Sequence, residues 1–141
     1  MAVTGASGSL GRALLLELHR QGAALVALTS SEAPLSLTGT DGQAVPLEQV
    51  RWHCGQEQAL QAVLERCDVL VINHGFNSHG DRSANAVEAS LEVNALSSWR
   101  LLEGFAALVA SRSEASVYAA STRTPAEAMA SGAISTPSVR I

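Results

Sequence analysis

Hydrophobic positions along the chain follow two periods, and the switching between them predicts alternating strands and helices. Met1 to Thr4 is a short apolar run of strand type. Arg12 to Gln21 then carries Leu14, Leu15 and Leu18 at helical spacing before Gly22 ends the segment. Ala23 to Thr29 is a continuous apolar run, as expected of a strand covered on both faces of a parallel sheet. Ser30 to Glu48 holds Pro34, Gly39, Gly42 and Pro46 without sustained periodicity and reads as a long loop. Val50 to Cys54 reads as a third strand, and Glu57 to Arg66 as a helix presenting Leu60, Val63, Leu64 and Cys67 on one face. Asp68 to Gly75 is the strongest strand signal, and a polar loop from Phe76 to Arg82 leads to a long helix from Ala84 to Ala110. Ser116 to Ala120 supplies a fifth strand. Such alternation implies an α/β fold with a parallel sheet and covered faces.

Two segments stand apart from this pattern. Residues 1–121 hold all the predicted elements, whereas Thr122 to Ile141 is rich in Ala, Ser, Thr and Pro and is expected to be a flexible C-terminal tail. In the long helix, Val87, Leu91, Asn94, Ser98, Leu101, Phe105 and Leu108 recur at steps of four and three, which predicts a buried stripe that includes Asn94. A second apolar face, with Trp99, Leu102, Ala106 and Val109, is a candidate surface for self-association.

Composition narrows the partners. The chain has 141 residues, 47% of them hydrophobic and 16% charged, which suits one globular core. A net charge of −4 without a basic cluster argues against nucleic acid and against an anionic membrane surface. No apolar run is long enough to cross a bilayer, and the N-terminus has no basic segment leading into one, so a cytoplasmic protein is expected. Cys54 and Cys67 are expected to be reduced, and the absence of a tight Cys-x-x-Cys or His-x-x-x-His pair predicts no metal centre.

The candidate chemistry begins with "VTGASGSLG", Val3 to Gly11. A strand, a glycine loop and a helix in succession aim unpaired amides and the positive end of a helix dipole at one point, where a phosphate fits. Gly5 permits the turn, Gly8 lets a ligand approach, and Gly11 lets the helix sit close. Ser7 and Ser9 add hydroxyl donors beside Leu10. This reading is a dinucleotide site. A single mononucleotide, or a tight turn with no ligand, is the alternative. The second strand ends in Thr29, Ser30 and Ser31, with Glu32 the nearest carboxylate. Uncharged donors there favour NADP over NAD, although no arginine follows in that stretch to pair with a 2′-phosphate.

Three motifs stand in register. "TGASGSLG" at Thr4 to Gly11, "NHG" at Asn73 to Gly75 and "VNA" at Val93 to Ala95 resemble the short-chain dehydrogenase/reductase family over the first 121 residues. The stretches "CDVLVINHGFNSHGDRS" and "EVNALSSWRLLE" also resemble a cyanobacterial subgroup labelled bifunctional sterol desaturase/short-chain dehydrogenase. The resemblance implies a Rossmann-type doubly wound sheet of about five strands in the order 3-2-1-4-5, ending before the family's last strands, and an NAD(P)-dependent oxidoreductase. Met1 to Thr4 is short for a central strand, so the start is expected to be trimmed as well. By the same resemblance Gly5, Gly8 and Gly11 hold the pyrophosphate, and Asn73, His74 and Gly75 form the turn beside the adenosine ribose. Asn94 and Ser121 take catalytic roles, in proton relay and substrate polarisation respectively. Plain structural roles, a backbone cap for Asn94 and turn chemistry for Ser121, are the alternatives.

The family's proton donor is a tyrosine followed four residues later by a lysine. Tyr118 is the only tyrosine here, it falls in the fifth strand, and position 122 is threonine. All nine basic residues are arginine, so the chain contains no lysine, and arginine's fixed charge and planar fork do not replace one. The expectation is therefore a coenzyme-binding part without turnover of its own. A non-catalytic dinucleotide-binding or protein-interaction module is the alternative.

Overall fold

A computed structural model describes residues 1–110, 112 and 116–119. Ser121 and the expected tail lie outside the described residues, as does any side-chain account of Tyr118. The elements run β1 (Ala2–Thr4), α1 (Ser9–Arg20), β2 (Leu25–Thr29), β3 (Leu47–Arg51), a 3₁₀ turn (Glu57–Leu60), α2 (Gln61–Leu64), β4 (Val69–Ile72), α3 (Ala84–Leu91), a π turn (Glu92–Leu96), α4 (Ser97–Ala110) and β5 (Ser116–Ala119). All five strands are parallel, in the order β3-β2-β1-β4-β5. The Rossmann-type order expected from the sequence is the one observed. Successive strands are therefore added to one side of β1 as far as β3 and to its other side from β4 onward, and a crevice opens beyond the carboxyl ends of β1 and β4.

Short as it is, β1 sits between two partners, with Val3 opposite Ala27 on one side and Val71 on the other. Its residues are completely buried, and apolar clusters cover both faces of the sheet. Val3, Leu25, Ala27 and Leu15 of α1 form one cluster, while Leu28, Leu70, Ile72, Leu101 and Phe105 of α4 belong to the other.

Three boundaries differ from expectation. The third strand is Leu47–Arg51 rather than Val50 to Cys54, so the preceding loop is shorter than predicted. "LEQVR" mixes polar and apolar residues because β3 is an edge strand, half-covered, and such a strand gives no apolar run. Pro46 stands immediately outside it, where no ladder donor is missed. The helix predicted over Glu57 to Arg66 is a 3₁₀ turn followed by a single α turn, although Leu60, Leu64 and Cys67 are buried as the face predicted.

The third difference concerns the long helix. It starts as predicted at Ala84, capped by the Ser83 hydroxyl, which accepts the Ala86 N–H at 3.2 Å. The π turn then inserts one residue and shifts the phase of the stripe. Downstream, Ser97, Leu101 and Phe105 are buried, but upstream Val87 and Leu91 are 51% and 57% exposed. Asn94 is exposed instead of buried, because it lies in the π turn itself.

Candidate functional site

The glycine loop emerges from β1 into the crevice with its turn set by Gly5, whose φ is +61°. A Cβ there would also lie 2.9 Å from the Asn73 carbonyl oxygen, so Gly5 lets the loop rest on the end of β4. At Gly11 a Cβ would come within 2.2 Å of the Gly5 carbonyl oxygen, which is why α1 can start so close to the loop. Gly8 is the N-terminal cap of α1 and supplies no side-chain acceptor. The first intrahelical bond runs from Arg12 N–H to Gly8 at 2.9 Å, so the amides of Ser9, Leu10 and Gly11 have no carbonyl of their own helix to meet. No acidic side chain occupies that first turn, leaving the positive end of the dipole uncompensated.

Gly5, Ser7, Gly8, Ser9, Leu10, Gly11, Thr29, Ser30, Asn73, His74 and Gly75 all line one crevice of about 990 Å³. Their roles within it differ from a simple row of donors. The Thr29 hydroxyl is buried and donates to Ser7 Oγ at 2.9 Å while accepting Ser31 N–H at 3.0 Å, so it braces the loop. Ser30 is exposed beside it. Asn73 is 7% exposed, and its Oδ1 is the buried side-chain atom that has no hydrogen-bond partner among the described residues. An unpaired buried amide oxygen is costly unless a ligand or water completes it.

His74 joins three elements. Thr4 Oγ1 accepts the backbone N–H groups of Asn73 at 2.8 Å and His74 at 3.1 Å, donates to the Val71 carbonyl at 3.4 Å and lies 2.9 Å from His74 Nδ1. The imidazole bonds to the backbone of Val93 in the π turn, and its Nε2 lies 3.4 Å from Ser98 Oγ. The ring also meets Trp52 edge-on at 5.4 Å. Burial lowers the His74 pKa, partly opposed by the bond to Val93 and by the Glu57 carboxylate. The imidazole is thus a neutral strut between the sheet and the helix.

Asn94 is engaged nearby. Its Oδ1 accepts Phe76 N–H at 2.7 Å, and its Nδ2 donates to the Phe76 carbonyl at 2.9 Å and to Ser90 Oγ at 3.1 Å. Both backbone polar groups of Phe76 are held, so the side chain fixes the loop after β4 as a backbone cap does. Trp52, His53, Cys54, Phe76, Asn77, Ser78, Ser90 and Val93 also line the crevice and were not anticipated. Placing β3 three residues too late hid Trp52 to Cys54 inside a strand. Correct placement would have put them at a carboxyl end, where such crevices form.

A second groove, about 1290 Å³, lies between the 3₁₀ turn, α2 and α4. Its buried carboxylate, Glu57, accepts Ser97 Oγ at 2.6 Å and Gly55 N–H at 2.8 Å, with Arg100 at 3.6 Å. These groups satisfy one another and explain the fold of the 3₁₀ turn. Among the described residues no three His, Cys, Asp or Glu side chains converge as metal ligands, and no helix is long and apolar enough to cross a membrane.

Comparison with known proteins agrees with this geometry. Over 109 residues, 77% of the chain, it is 46% identical to a monoglucosyldiacylglycerol epimerase of Synechocystis, and it spans 26% of that relative's length. The relative's name replaces the sterol desaturase label that the sequence resemblance suggested. A short-chain dehydrogenase/reductase oxidoreductase from Burkholderia thailandensis superposes with a TM-score of 0.68 at 24% identity, covering 84% of this chain and 49% of the other. Uronate dehydrogenase from Agrobacterium tumefaciens, complexed with NAD, superposes with a TM-score of 0.59 at 24% identity, over 85% and 39% of the two chains. The model of the NAD dependent epimerase/dehydratase family matches residues 1–138, and the chain belongs to that family.

Proposed function

We propose that this chain is the coenzyme-binding part of a nicotinamide-dependent epimerase of the short-chain dehydrogenase/reductase type, acting on a sugar carried by a lipid. The lipid-linked sugar rests on the 46% identity to the Synechocystis relative. Coenzyme binding rests on the crevice, and one observation carries it: the uncapped first turn of α1, whose first amides have no carbonyl of their own helix to meet, opens into it. A dinucleotide suits that turn, with its diphosphate on the amides of Ser9, Leu10 and Gly11 and a ribose beside Asn73, which lines the same crevice. The residues present fit such a group. When bound, the nicotinamide supplies hydride exchange with a substrate carbon.

The chain's own residues grip and orient. Gly8 leaves room for the diphosphate, and Gly5 and Gly11 set the loop. Thr29 and Ser7 brace it, and His74 and Asn94 hold the rim formed by Phe76. Asn94 acts here by positioning. Ser30, uncharged and exposed, favours NADP, whereas solved neighbours hold NAD. With no lysine to partner a tyrosine, the chain alone carries out no hydride transfer. Of the face expected for self-association, Leu102 and Val109 pack against the core, so the exposed Trp99 with Val87, Leu91 and Leu96 is the surface proposed for it. Turnover of a carbonyl or glycosyl substrate by this chain with NADPH would overturn the non-catalytic part. Lack of any saturable NADPH or NADH binding would overturn the rest.

A further inference from the structure

The crevice has a wall on each side of β1, and both walls are tied to neighbouring residues at the start of α4. On the β4 side the tie is His74, whose Nε2 lies 3.4 Å from Ser98 Oγ. On the β3 side, Trp52, His53 and Cys54 line the crevice as the chain leaves the strand. Trp52 N–H still bonds to the Thr29 carbonyl of β2 at 3.0 Å. Beyond it the chain turns away from the sheet, with Gln56 N–H on the His53 carbonyl at 3.0 Å and Gly55 at φ +93°.

That turn is held from behind by Glu57. Its Oε1 accepts both Gly55 N–H at 2.8 Å and Ser97 Oγ at 2.6 Å. Ser97 is fully buried, and the Cys54 thiol bonds to the same hydroxyl. One carboxylate oxygen therefore joins the end of the β3 wall to the first residue of α4. The other oxygen lies 3.6 Å from Arg100, which also pairs with Glu92. Bonds to a buried carboxylate are short and strong, and removing a donor or the acceptor leaves an uncompensated group out of water. Glu57 and Arg100 line the groove behind the wall, whereas the crevice is lined by Trp52, His53 and Cys54. Trp52 meets His74 edge-on at 5.4 Å, so a shift of one wall is felt at the other.

We propose that Glu57 is a positioning residue for the coenzyme: through Gly55 and Ser97 it holds the Trp52–Cys54 wall at a fixed distance from α4, and it acts on binding without touching the ligand. The inference rests on the dinucleotide reading above and adds the group that keeps the crevice in shape. Diphosphate held on the α1 amides does not depend on this wall, whereas a whole dinucleotide must fit between the two walls.

The test is titration of the full chain and three variants with NADPH, NADH and inorganic pyrophosphate, well below each thermal midpoint. Glu57→Ala should weaken both coenzymes by about tenfold, the scale of a lost hydrogen bond to a charged group, and leave pyrophosphate binding as in wild type. Glu57→Gln keeps an oxygen for Gly55 and Ser97 and should bind coenzyme almost as wild type does. Ser97→Ala removes only the tie to α4 and should weaken both coenzymes by several-fold, which keeps the proposal open to refutation even where Glu57→Ala does not fold. Unchanged coenzyme binding in Ser97→Ala or in folded Glu57→Ala would overturn the assignment while leaving the dinucleotide site intact. So would equal loss of pyrophosphate and coenzyme, or a Glu57→Gln protein that binds as weakly as Glu57→Ala. A wild-type chain that binds neither coenzyme would overturn the dinucleotide reading and this one together.

Discussion

Gly8 and Gly11 stand three residues apart in the same loop, and the structure predicts opposite outcomes for the same added methyl group. In Gly11→Ala the new Cβ would lie 2.2 Å from the Gly5 carbonyl oxygen and 2.8 Å from Ala6 Cα. Both obstacles are backbone, so neither can swing aside, and α1 must move by about an ångström against the sheet. Contacts this short with backbone fall toward the upper end of the usual overpacking cost of about 1–3 kcal/mol, of which alanine's better helix propensity offsets up to about 1 kcal/mol. For a chain of this size the net should lower the melting midpoint by roughly 3–10 °C. Gly8 has φ −71° and ψ 164°, which alanine adopts freely, and its added Cβ would meet only the Gly5 carbonyl oxygen, at 3.3 Å. Gly8→Ala should therefore melt within about 2 °C of wild type yet bind coenzyme at least tenfold more weakly, because the methyl group occupies the approach to the α1 amides. Thermal unfolding by circular dichroism and calorimetric titration measure the two effects. A Gly11→Ala protein as stable as wild type, or a Gly8→Ala protein that binds normally, would refute the reasoning at that position.

Other consequences follow from the network around the crevice. Because burial depresses the His74 pKa below its ordinary 6.5, the unfolded chain binds the proton first as pH falls. Stability contributed by neutral His74 is complete above pH 6.5 and is lost as pH falls from there through the lower folded-state value. His74→Gln should flatten that part of the stability profile in urea titrations, and an unchanged slope would contradict it. Asn94→Leu should free the Phe76 amide, held at 2.7 Å, and raise its hydrogen-exchange rate while core amides of β1 stay protected. Phe105→Ala, at a fully buried position, should cost about 3–5 kcal/mol, and a loss under 1 kcal/mol in denaturant melts would show that α4 does not close the core.

The central strands and the glycine loop were legible in the sequence because each has a strong local cause, whereas the strand order followed from the family resemblance. β2 is an apolar run buried on both faces and β4 one buried on one face and half-covered on the other, and Gly5 and Gly11 answer to close backbone approaches. What escaped depends on neighbours distant in sequence. β3 has no apolar run because one side of it is an edge, so its placement came from the register with β2. The π turn has no compositional mark, and its extra residue moved Asn94 from an expected buried stripe to the surface beside Phe76. The sequence places His74 in a turn, but its role as a strut requires Thr4, 70 residues earlier, and Val93 of the π turn. The bond from Ser97 to Glu57 likewise exists only once α4 lies beside the 3₁₀ turn.

Underlying the whole account is a diphosphate held by the free amides at the start of α1. Trp52 lines the same crevice, so its emission reports occupancy directly. Titration with NADPH should quench it saturably at one site per chain. ADP should displace the coenzyme and adenosine should not, because only ADP carries the diphosphate. Quenching that never saturates, or equal displacement by adenosine and ADP, would contradict the claim that these amides are what the ligand binds.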